Sequence, residues 1–476
     1  MEPGKIQRHS AASTAFLIWG VLTLLVTGSL LGIWLLRGPG GFETAIQRGP
    51  YTNLPTALAS VAFTWLLGGL FLYLLSTKRL HANNMPTWAG FFLVALVYLN
   101  LLRERTEYGD IEFYVEAALK LSAGEPLPAE YFYPPLWATL LSWFVPLGED
   151  GILLIVWLLN LVSLFAFYFL LSRTLQLYGF SPRLAALTTT AFMLANAPLL
   201  RTMVYLQVNL HVMNAIFLSL LLYRRFPALS ALGMALAVHL KASPVVLVLA
   251  FLLEWNWRWL AWAALSFLAL GAIPVIAYGF SPYLDFVNNS LGLAAGHALS
   301  FRETSFDGFF TALAEFLNLS PVFISTGAYV AKALLFVGAL LVMRRNIRQE
   351  TFFSGKGDRL YNAILSLFIL MTLASPIVWE HHGVFLTLSF LILLKKLARP
   401  STWAFFGFAY FFEFLLPTFD FFPWSYGRLV APLICLWLMW QVSAKTVSAG
   451  GTGSSSWFER FSRWLDSFPE SPHALS

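Results

Sequence analysis

The chain has 476 residues, of which 58% are apolar and only 11% are charged, and its formal net charge is +6. Soluble globular domains carry about 25% charged residues, so this composition excludes an ordinary soluble enzyme and predicts a membrane protein. The single cysteine, Cys435, lies inside an apolar run, which excludes an intrachain disulfide and a thiolate metal site.

Long apolar runs recur along the chain, and each can cross the roughly 30 Å core of a bilayer as a helix. Because backbone amides must be hydrogen-bonded in lipid, the chain is predicted to form an all-α, polytopic bundle of about 12 to 14 transmembrane helices. The first run is too long for a signal-peptide core and lacks a small-residue cleavage site, so we expect it to be retained. The predicted spans are 14–36, 57–76, 87–102, 151–172, 184–200, 206–223, 226–240, 243–254, 258–279, 326–343, 360–376, 383–397, 401–417 and 429–446.

The spans divide the chain into three predicted regions: accessory transmembrane helices over 1–86, a main transmembrane domain over 87–446, and a C-terminal segment over 447–476. The last region starts with a Gly- and Ser-rich linker. Six apolar residues then fall on one helical face, which predicts an amphipathic helix on the cytoplasmic membrane surface: Trp457, Phe458, Phe461, Trp464, Leu465 and Phe468.

The basic residues fix the orientation of the bundle. With a cytoplasmic N-terminus, the cytoplasmic segments carry 20 of the 30 lysines and arginines and the opposite side carries nine, while Lys332 lies within a span. The positive-inside rule therefore places both termini in the cytoplasm and the long loops 103–150 and 280–325 outside. Because these charges lie between spans, the basic pI of 9.3 does not indicate nucleic-acid binding.

An acidic stretch, "YGDIEFYVEAALKLSAGEPLPAEYFYPPLW", begins at Tyr108 in the first external loop. At 100° per residue, Asp110 and Tyr114 share the apolar face of a helix, whereas Glu112, Glu116 and Lys120 line a solvated face. Asp110 opens this helix, so it suits an N-cap. A carboxylate at this boundary also suits a general base that accepts a proton from a sugar hydroxyl, and one residue can do both.

The corner "YFYPPLW" is ambiguous in the same way. Pro134 and Pro135 favour an extended entry into the first turn of a helix. The surrounding aromatic side chains are typical of a belt at the membrane interface: Tyr131, Phe132, Tyr133 and Trp137.

Further polar residues are predicted to lie on the same side of the membrane: Arg201, Gln207, Asn209, His211, His239, Lys241, Glu380, His381 and His382. Arg201 and Lys241 also suit basic side chains that reach toward lipid phosphates at the end of a span. Since adjacent histidines point in different directions on a helix, we expect at most one of His381 and His382 to face a given site. The "EHH" spacing lacks a metal-ligand pattern, so no metal is expected.

Four segments occur in the order and at about the spacing found in glycosyltransferase family 87: "GDIEFYVEAALKLSAGEPLPAEYFYPPLWATLL", "YLQVNL", "ALAVHLKASPVVLVLAFLLEWNWRW" and "ASPIVWEHHGVFL". The chain resembles that family over roughly residues 87–440. Three features depart from its pattern: Leu206 stands where Gly is usual, "KASP" replaces Lys-Pro-x-Pro, and two spans precede the usual first helix.

The resemblance implies the GT-C fold and a transferase that uses a polyprenyl-phosphate sugar. It implies a catalytic Asp at Asp110, donor contacts at Lys241 and at His381 or His382, and a turn built by Gln207 and Asn209. Because Arg201 is predicted to lie on the same side of the membrane as Lys241, we assign Arg201 to the donor site as well. Residues that we assign to the acceptor or to the lining of the cleft are Tyr114, Tyr133, Gln207, Asn209 and Glu380.

The expected reaction transfers a sugar, with mannose favoured, to a lipid-linked or envelope glycan at the outer face of the cell membrane, with no cofactor. A lipid-linked donor is consistent with the lack of a dinucleotide fingerprint or P-loop. The expected partners are the donor, the glycan acceptor and membrane lipids, with no nucleic acid. The alternative is a transporter or flippase of lipid-linked sugars, although the chain shows no convincing internal repeat, a feature common in transporters.

Overall fold

The computed structural model describes residues 3–46, 54–81, 84–102, 109–295, 303–355, 358–416, 422–445 and 457–467. These residues contain no strand. Their α-helices are α1 (Pro3–Ile46), α2 (Leu54–Ser76), α3 (Met85–Leu101), α4 (Ile111–Ala123), α5 (Leu136–Ser142), α6 (Gly148–Leu177), α7 (Pro182–Leu194), α8 (Ala197–Val204), α9 (Asn209–Leu222), α10 (Pro227–Leu240), α11 (Val248–Leu252), α12 (Trp257–Tyr278), α13 (Ser281–Ala295), α14 (Phe306–Leu317), α15 (Pro321–Arg348), α16 (Arg359–Leu373), α17 (Thr387–Leu394), α18 (Pro400–Tyr410), α19 (Gly427–Lys445) and α20 (Trp457–Ser467). Short 3-10 helices cover Val145–Leu147, Ser243–Leu247, Glu380–Leu386 and Trp424–Tyr426, and a π-helix covers Phe411–Leu415.

The prediction of an all-α, polytopic membrane fold is confirmed. In the described ranges, six helices are long and apolar enough to cross a membrane, and the pair α8 and α9, bent by 118°, would make a seventh. Five shorter apolar helical segments account for much of the difference from the predicted 12 to 14 spans: Met85–Leu101, Pro227–Leu240, Ser243–Leu252, Arg359–Leu373 and Glu380–Leu394.

The prediction of one continuous span over 184–200 is wrong. The helix α7 ends at Leu194, and Asn196 starts α8 by accepting a hydrogen bond from the backbone N–H of Leu199 at 2.9 Å. An Asn side chain competes for backbone donors in this way and so favours a new helix start over continuation.

The described residues up to Leu102 form one compact unit, and those from Gly109 to Ser467 form a second. In the first unit, α1 packs against α2, where Trp65 Nε1 donates a hydrogen bond to Thr23 Oγ1 at 2.7 Å. The division of the chain into three functional regions remains a prediction.

In the second unit, α9 packs between α6 and α10, and α10 packs in turn on α12. The helix α16 is mostly apolar, and every residue from Leu360 to Leu373 is buried. An apolar surface around the whole circumference is what a helix inside a bundle requires. Both α8 and α9 pack against the 3-10 helix Glu380–Leu386, and Lys241, directly after α10, reaches the same element.

The C-terminal helix α20 packs on α7, where Arg183 Nη1 donates to the carbonyl of Leu465 at 3.1 Å. Its predicted position on the membrane surface remains a prediction. Phe468 of the predicted apolar face and Tyr108 of the acidic stretch lie outside the described residues.

Candidate active site

Asp110 immediately precedes α4, but its side chain makes no capping hydrogen bond with the first turn. The Asp110 side chain instead faces His381, with 3.9 Å between Oδ2 and Nε2. It is 28% exposed, whereas the His381 side chain is 4% exposed. The carboxylate is therefore partly exposed, and a buried imidazole lies beside it.

The predicted solvated face of α4 is present. Glu112 and Glu116 are exposed, and Glu116 pairs with Lys120 at 2.9 Å along the helix. Tyr114, on the opposite face, is fully buried. The helix thus separates Asp110 from the other carboxylates of the acidic stretch.

Lys241 follows the last residue of α10 in an extended conformation, and its side chain points into the protein. Its Nζ donates to Asn209 Oδ1 at 3.0 Å and lies 2.6 Å from His382 Nε2. Burial lowers the pKa of Lys241 to about 7, although the carboxylate of Asp110 acts in the opposite direction. Lys241 therefore does not reach toward lipid in the way a basic residue at the end of a span often does.

Both histidines reach this cluster, so the expectation that only one would do so is wrong. His381 faces Asp110 and His382 faces Lys241, and their ring centroids are 4.6 Å apart. The two partners approach from different elements, which allows neighbouring side chains with different directions to share one site. The backbone is held as well, because the carbonyl of His381 accepts from Thr202 Oγ1 and Asn209 Nδ2, each at 3.3 Å.

Gln207 joins the helix α4 to the same site. Its Oε1 accepts hydrogen bonds from the hydroxyl groups of Tyr114 at 2.9 Å and Tyr133 at 3.2 Å. Burial raises the pKa of both tyrosines, which keeps them as hydroxyl donors. Gln207 Nε2 is buried and has no hydrogen-bond partner among the described residues, which is uncommon for a buried amide group.

The backbone conformation at Leu206 explains why glycine is usual at this position of the turn. Its φ is 50°, in the left-handed region, which costs an L-residue roughly 1–2 kcal/mol relative to glycine. The turn directs Gln207 and Asn209 toward the cluster despite this cost. In the "KASP" segment, Pro244 lies in the first turn of the 3-10 helix that follows Lys241.

The prediction of an interfacial aromatic belt at "YFYPPLW" is wrong for two of its members. Tyr131 and Trp137 are buried, and the Tyr131 hydroxyl accepts from the backbone N–H of Ala138 at 3.2 Å. Pro135 directly precedes α5, as the sequence predicts for a helix start. The corner packs inward because α4 and α5 lie against each other.

A second polar cluster lies around Glu380. Arg428 Nη2 binds Glu380 Oε1 at 3.1 Å, and Arg201 Nε lies 3.8 Å from Oε2. Glu413 is buried beside Gly383, where its carboxylate occupies the space that a β-carbon would need. Sequence reasoning missed Arg428 and Glu413 as members of this cluster, and only the apolar surroundings of Glu413 could have indicated its burial.

Two other histidines contact neighbouring helices. His211 Nδ1 lies 2.5 Å from Ser163 Oγ on α6. His239 Nε2 lies 2.8 Å from the carbonyl of Phe267. Within the described part of the chain, no group of three His, Cys, Asp or Glu side chains is arranged to hold a metal ion.

Comparisons with known proteins agree with the motifs. Residues 131–376, just over half of the chain, match the model of Glycosyltransferase family 87. The chain is 26% identical over 310 residues to a polyprenol-phosphate-mannose-dependent alpha-(1-2)-phosphatidylinositol pentamannoside mannosyltransferase of Mycolicibacterium smegmatis, a match that covers 62% of this chain and 71% of that relative. No solved structure matches. The matched family range contains Gln207, Asn209 and Lys241 and excludes Asp110 and the His381–His382 pair. This chain belongs to glycosyltransferase family 87.

Proposed function

We propose that this membrane glycosyltransferase moves mannose from a polyprenyl-phosphate donor to a lipid-linked or envelope glycan acceptor on the extracytoplasmic side. The observation that carries the proposal is the convergence of one carboxylate with a lysine, an asparagine and two histidines from four separate parts of the chain. Asp110 precedes α4, Asn209 begins α9, Lys241 follows α10, and His381 and His382 lie in a 3-10 helix. Mannose is favoured by the name of the relative from Mycolicibacterium smegmatis.

Asp110 is the proposed general base. Its carboxylate accepts the proton of an acceptor hydroxyl while that oxygen attacks the anomeric carbon of the donor sugar. The bond between the anomeric carbon and the phosphate oxygen breaks, and polyprenyl phosphate leaves. Positioned proton transfer of this kind typically accelerates a reaction about 10²- to 10⁴-fold.

The leaving phosphate gains negative charge in this step, so the site needs donors placed before the reaction occurs. Lys241, His381 and His382 are the proposed donor-binding groups, since their side chains meet within a few ångströms beside Asp110. Arg201 lies half-exposed at the edge of the site and is proposed to extend this basic surface toward the donor. Gln207, Asn209, Tyr114, Tyr133 and Glu380 are proposed to line the cleft.

The test is direct product formation by the purified protein in lipid vesicles. Polyprenyl-phosphate mannose, polyprenyl-phosphate arabinose and a nucleotide-linked mannose are supplied separately with a glycolipid acceptor extract. We expect an acceptor whose mass has increased by one hexose with the first donor only. Movement of the donor across the vesicle membrane without any glycosylated product would instead identify a flippase.

The proposed side of the membrane has its own test. Cys435 is buried, so a cysteine introduced on the surface is the main target for a membrane-impermeant maleimide. In intact cells we expect labelling of Glu125→Cys, in the loop after α4, and protection of Arg348→Cys at the end of α15. The reverse pattern would place Asp110 in the cytoplasm and exclude an extracytoplasmic reaction.

A further inference from the structure

The hydrogen bonds of His382 determine where the protons of the Lys241–His382 pair lie. The backbone N–H of Trp379 donates to His382 Nδ1 at 2.9 Å, so Nδ1 carries a lone pair and no proton. A neutral imidazole has one N–H, which must then be at Nε2. His382 Nε2 is therefore a donor, and the atom that it faces must be an acceptor.

The atom facing His382 Nε2 is Lys241 Nζ, at 2.6 Å. An ammonium group has three donors and no acceptor, so it cannot receive this hydrogen bond. A neutral amine has one lone pair and two N–H groups. The lone pair accepts a hydrogen bond from His382 Nε2–H, and one N–H of the amine donates a hydrogen bond to Asn209 Oδ1 at 3.0 Å.

The orientation of Asn209 fits this assignment. Its Nδ2 donates to the carbonyl of His381 at 3.3 Å, which directs Oδ1 toward Lys241. The remaining surroundings of Nζ are mostly aromatic, with the ring centroids of Phe385 and Tyr133 at 5.3 and 5.6 Å. Asp110 is the charged group that favours protonation, whereas burial opposes it and lowers the pKa of Lys241 to about 7.

From this geometry we infer that Lys241 is a neutral amine in the unoccupied site and takes up a proton when a phosphate group binds. This inference rests on the proposed function for its ligand, because it assigns the phosphate to the polyprenyl-phosphate donor and product. In the binding step a buffer acid or hydronium ion gives one proton to Nζ, so one N–H bond forms, the proton donor becomes its conjugate base, and no C–O or P–O bond of the ligand breaks. His382 then turns its hydrogen bond from Nζ toward the phosphate.

Proton uptake by Lys241 makes the affinity of the site differ between donor and product. The phosphodiester donor carries one negative charge, and the monoester product above its second pKa of about 6 carries nearly two. A charged Lys241 therefore stabilises the product more than the donor. Such a site forms its cation only when an anion is present, which avoids burying an ammonium in the empty cleft.

The first experiment examines the unoccupied protein and needs no ligand. Lysines are labelled with a small amine reagent across pH 6 to 10.5, and labelling at each residue is measured by peptide mass spectrometry. The exposed Lys78 is the reference. We expect half-maximal labelling of Lys241 near pH 7, with its labelling curve displaced from that of Lys78. Parallel curves for the two lysines would overturn the inference.

The second experiment measures binding of a short-chain polyprenyl phosphate at pH 7.5 to 9, where the phosphate itself no longer titrates strongly. Wild type should lose affinity by roughly tenfold per pH unit and take up close to one proton, as measured by calorimetry in two buffers of different ionisation enthalpy. Lys241→Arg, which stays charged, should bind without this pH dependence.

Binding without proton uptake by wild type overturns the inference and leaves the proposed function intact. Failure to bind at any pH, with Lys241 labelled near pH 7, overturns the proposed donor instead.

Discussion

The two sides of the Glu380–Gly383 segment differ in how their charges are compensated. On one side, Glu380 lies between the guanidinium groups of Arg428 and Arg201. On the other side, His381 lies 3.9 Å from Asp110, and His382 lies beside Lys241. The first arrangement pairs opposite charges and holds the segment in place. The second places ionisable side chains beside one another, with Asp110 next to His381 and Lys241 next to His382.

This difference indicates how one segment can keep a fixed backbone and still carry side chains that change protonation. Groups that must change protonation cannot be locked into strong ion pairs, because each ion pair stabilises a single charge state. The backbone that carries them must still be fixed to within a fraction of an ångström. Under the proposed function, the paired side fixes the segment, and the side that holds Asp110 and Lys241 changes protonation.

The largest expected effect comes from breaking the paired side. Arg428→Met leaves the carboxylate of Glu380, whose side chain is only 12% exposed, without its buried partner. Loss of one member of a buried ion pair costs about 3–5 kcal/mol, so we expect a large drop in thermal stability in detergent. The matched control is Arg201→Met, which removes a 41% exposed partner and should cost less than about 1 kcal/mol. Equal losses for both variants would contradict a division of roles between the two arginines.

A smaller effect should follow from moving the segment itself. In Gly383→Ala, the new β-carbon meets the Glu413 carboxylate and Pro198 Cγ, at 2.8 Å for the latter. Overpacking of this kind costs about 1–3 kcal/mol, and activity should fall further because the adjacent histidines move. Gly407→Ala is the control, since no atom lies within 4 Å of its β-carbon. Normal turnover by Gly383→Ala would show that the histidine positions tolerate such a shift.

The smallest predicted effect concerns Glu303, a buried carboxylate outside the Glu380–Gly383 segment. Glu303 accepts a hydrogen bond from Ser305, and burial raises the pKa of Glu303 to about 7. Because the folded protein holds this proton more tightly than the unfolded chain, its stabilising contribution is complete below about pH 4.5 and is lost as the pH rises through 7. Glu303→Gln should therefore gain roughly 1–2 kcal/mol relative to wild type between pH 5 and pH 8.

Thermal unfolding at both pH values measures this difference, with the exposed Glu315→Gln as the control. A pH response of wild type that Glu303→Gln fails to reduce would assign the titration to another group.

The sequence predicted the fold class and most helix positions because long apolar runs have few alternatives in a bilayer. It also identified Asp110, Lys241, Asn209 and the histidine pair as chemically interesting residues. It could not predict that both histidines would reach the site, since that depends on the packing of α8 and α9 against a 3-10 helix. Nor could it predict the partners of Glu380, because Arg428 is 48 residues away and approaches only through tertiary packing.

The most direct test of the account compares Asp110→Asn with Glu112→Gln in a single-turnover assay with polyprenyl-phosphate mannose. Both changes replace a carboxylate on or beside α4 with its amide, but only Asp110 faces His381. Because the Asp110 side chain makes no capping hydrogen bond with the first turn of α4, folding should be preserved in the Asn variant. We expect Asp110→Asn to slow transfer about 10²- to 10⁴-fold with Glu112→Gln close to wild type. A folded Asp110→Asn protein that transfers mannose at the wild-type rate would contradict the assignment of Asp110 as the general base.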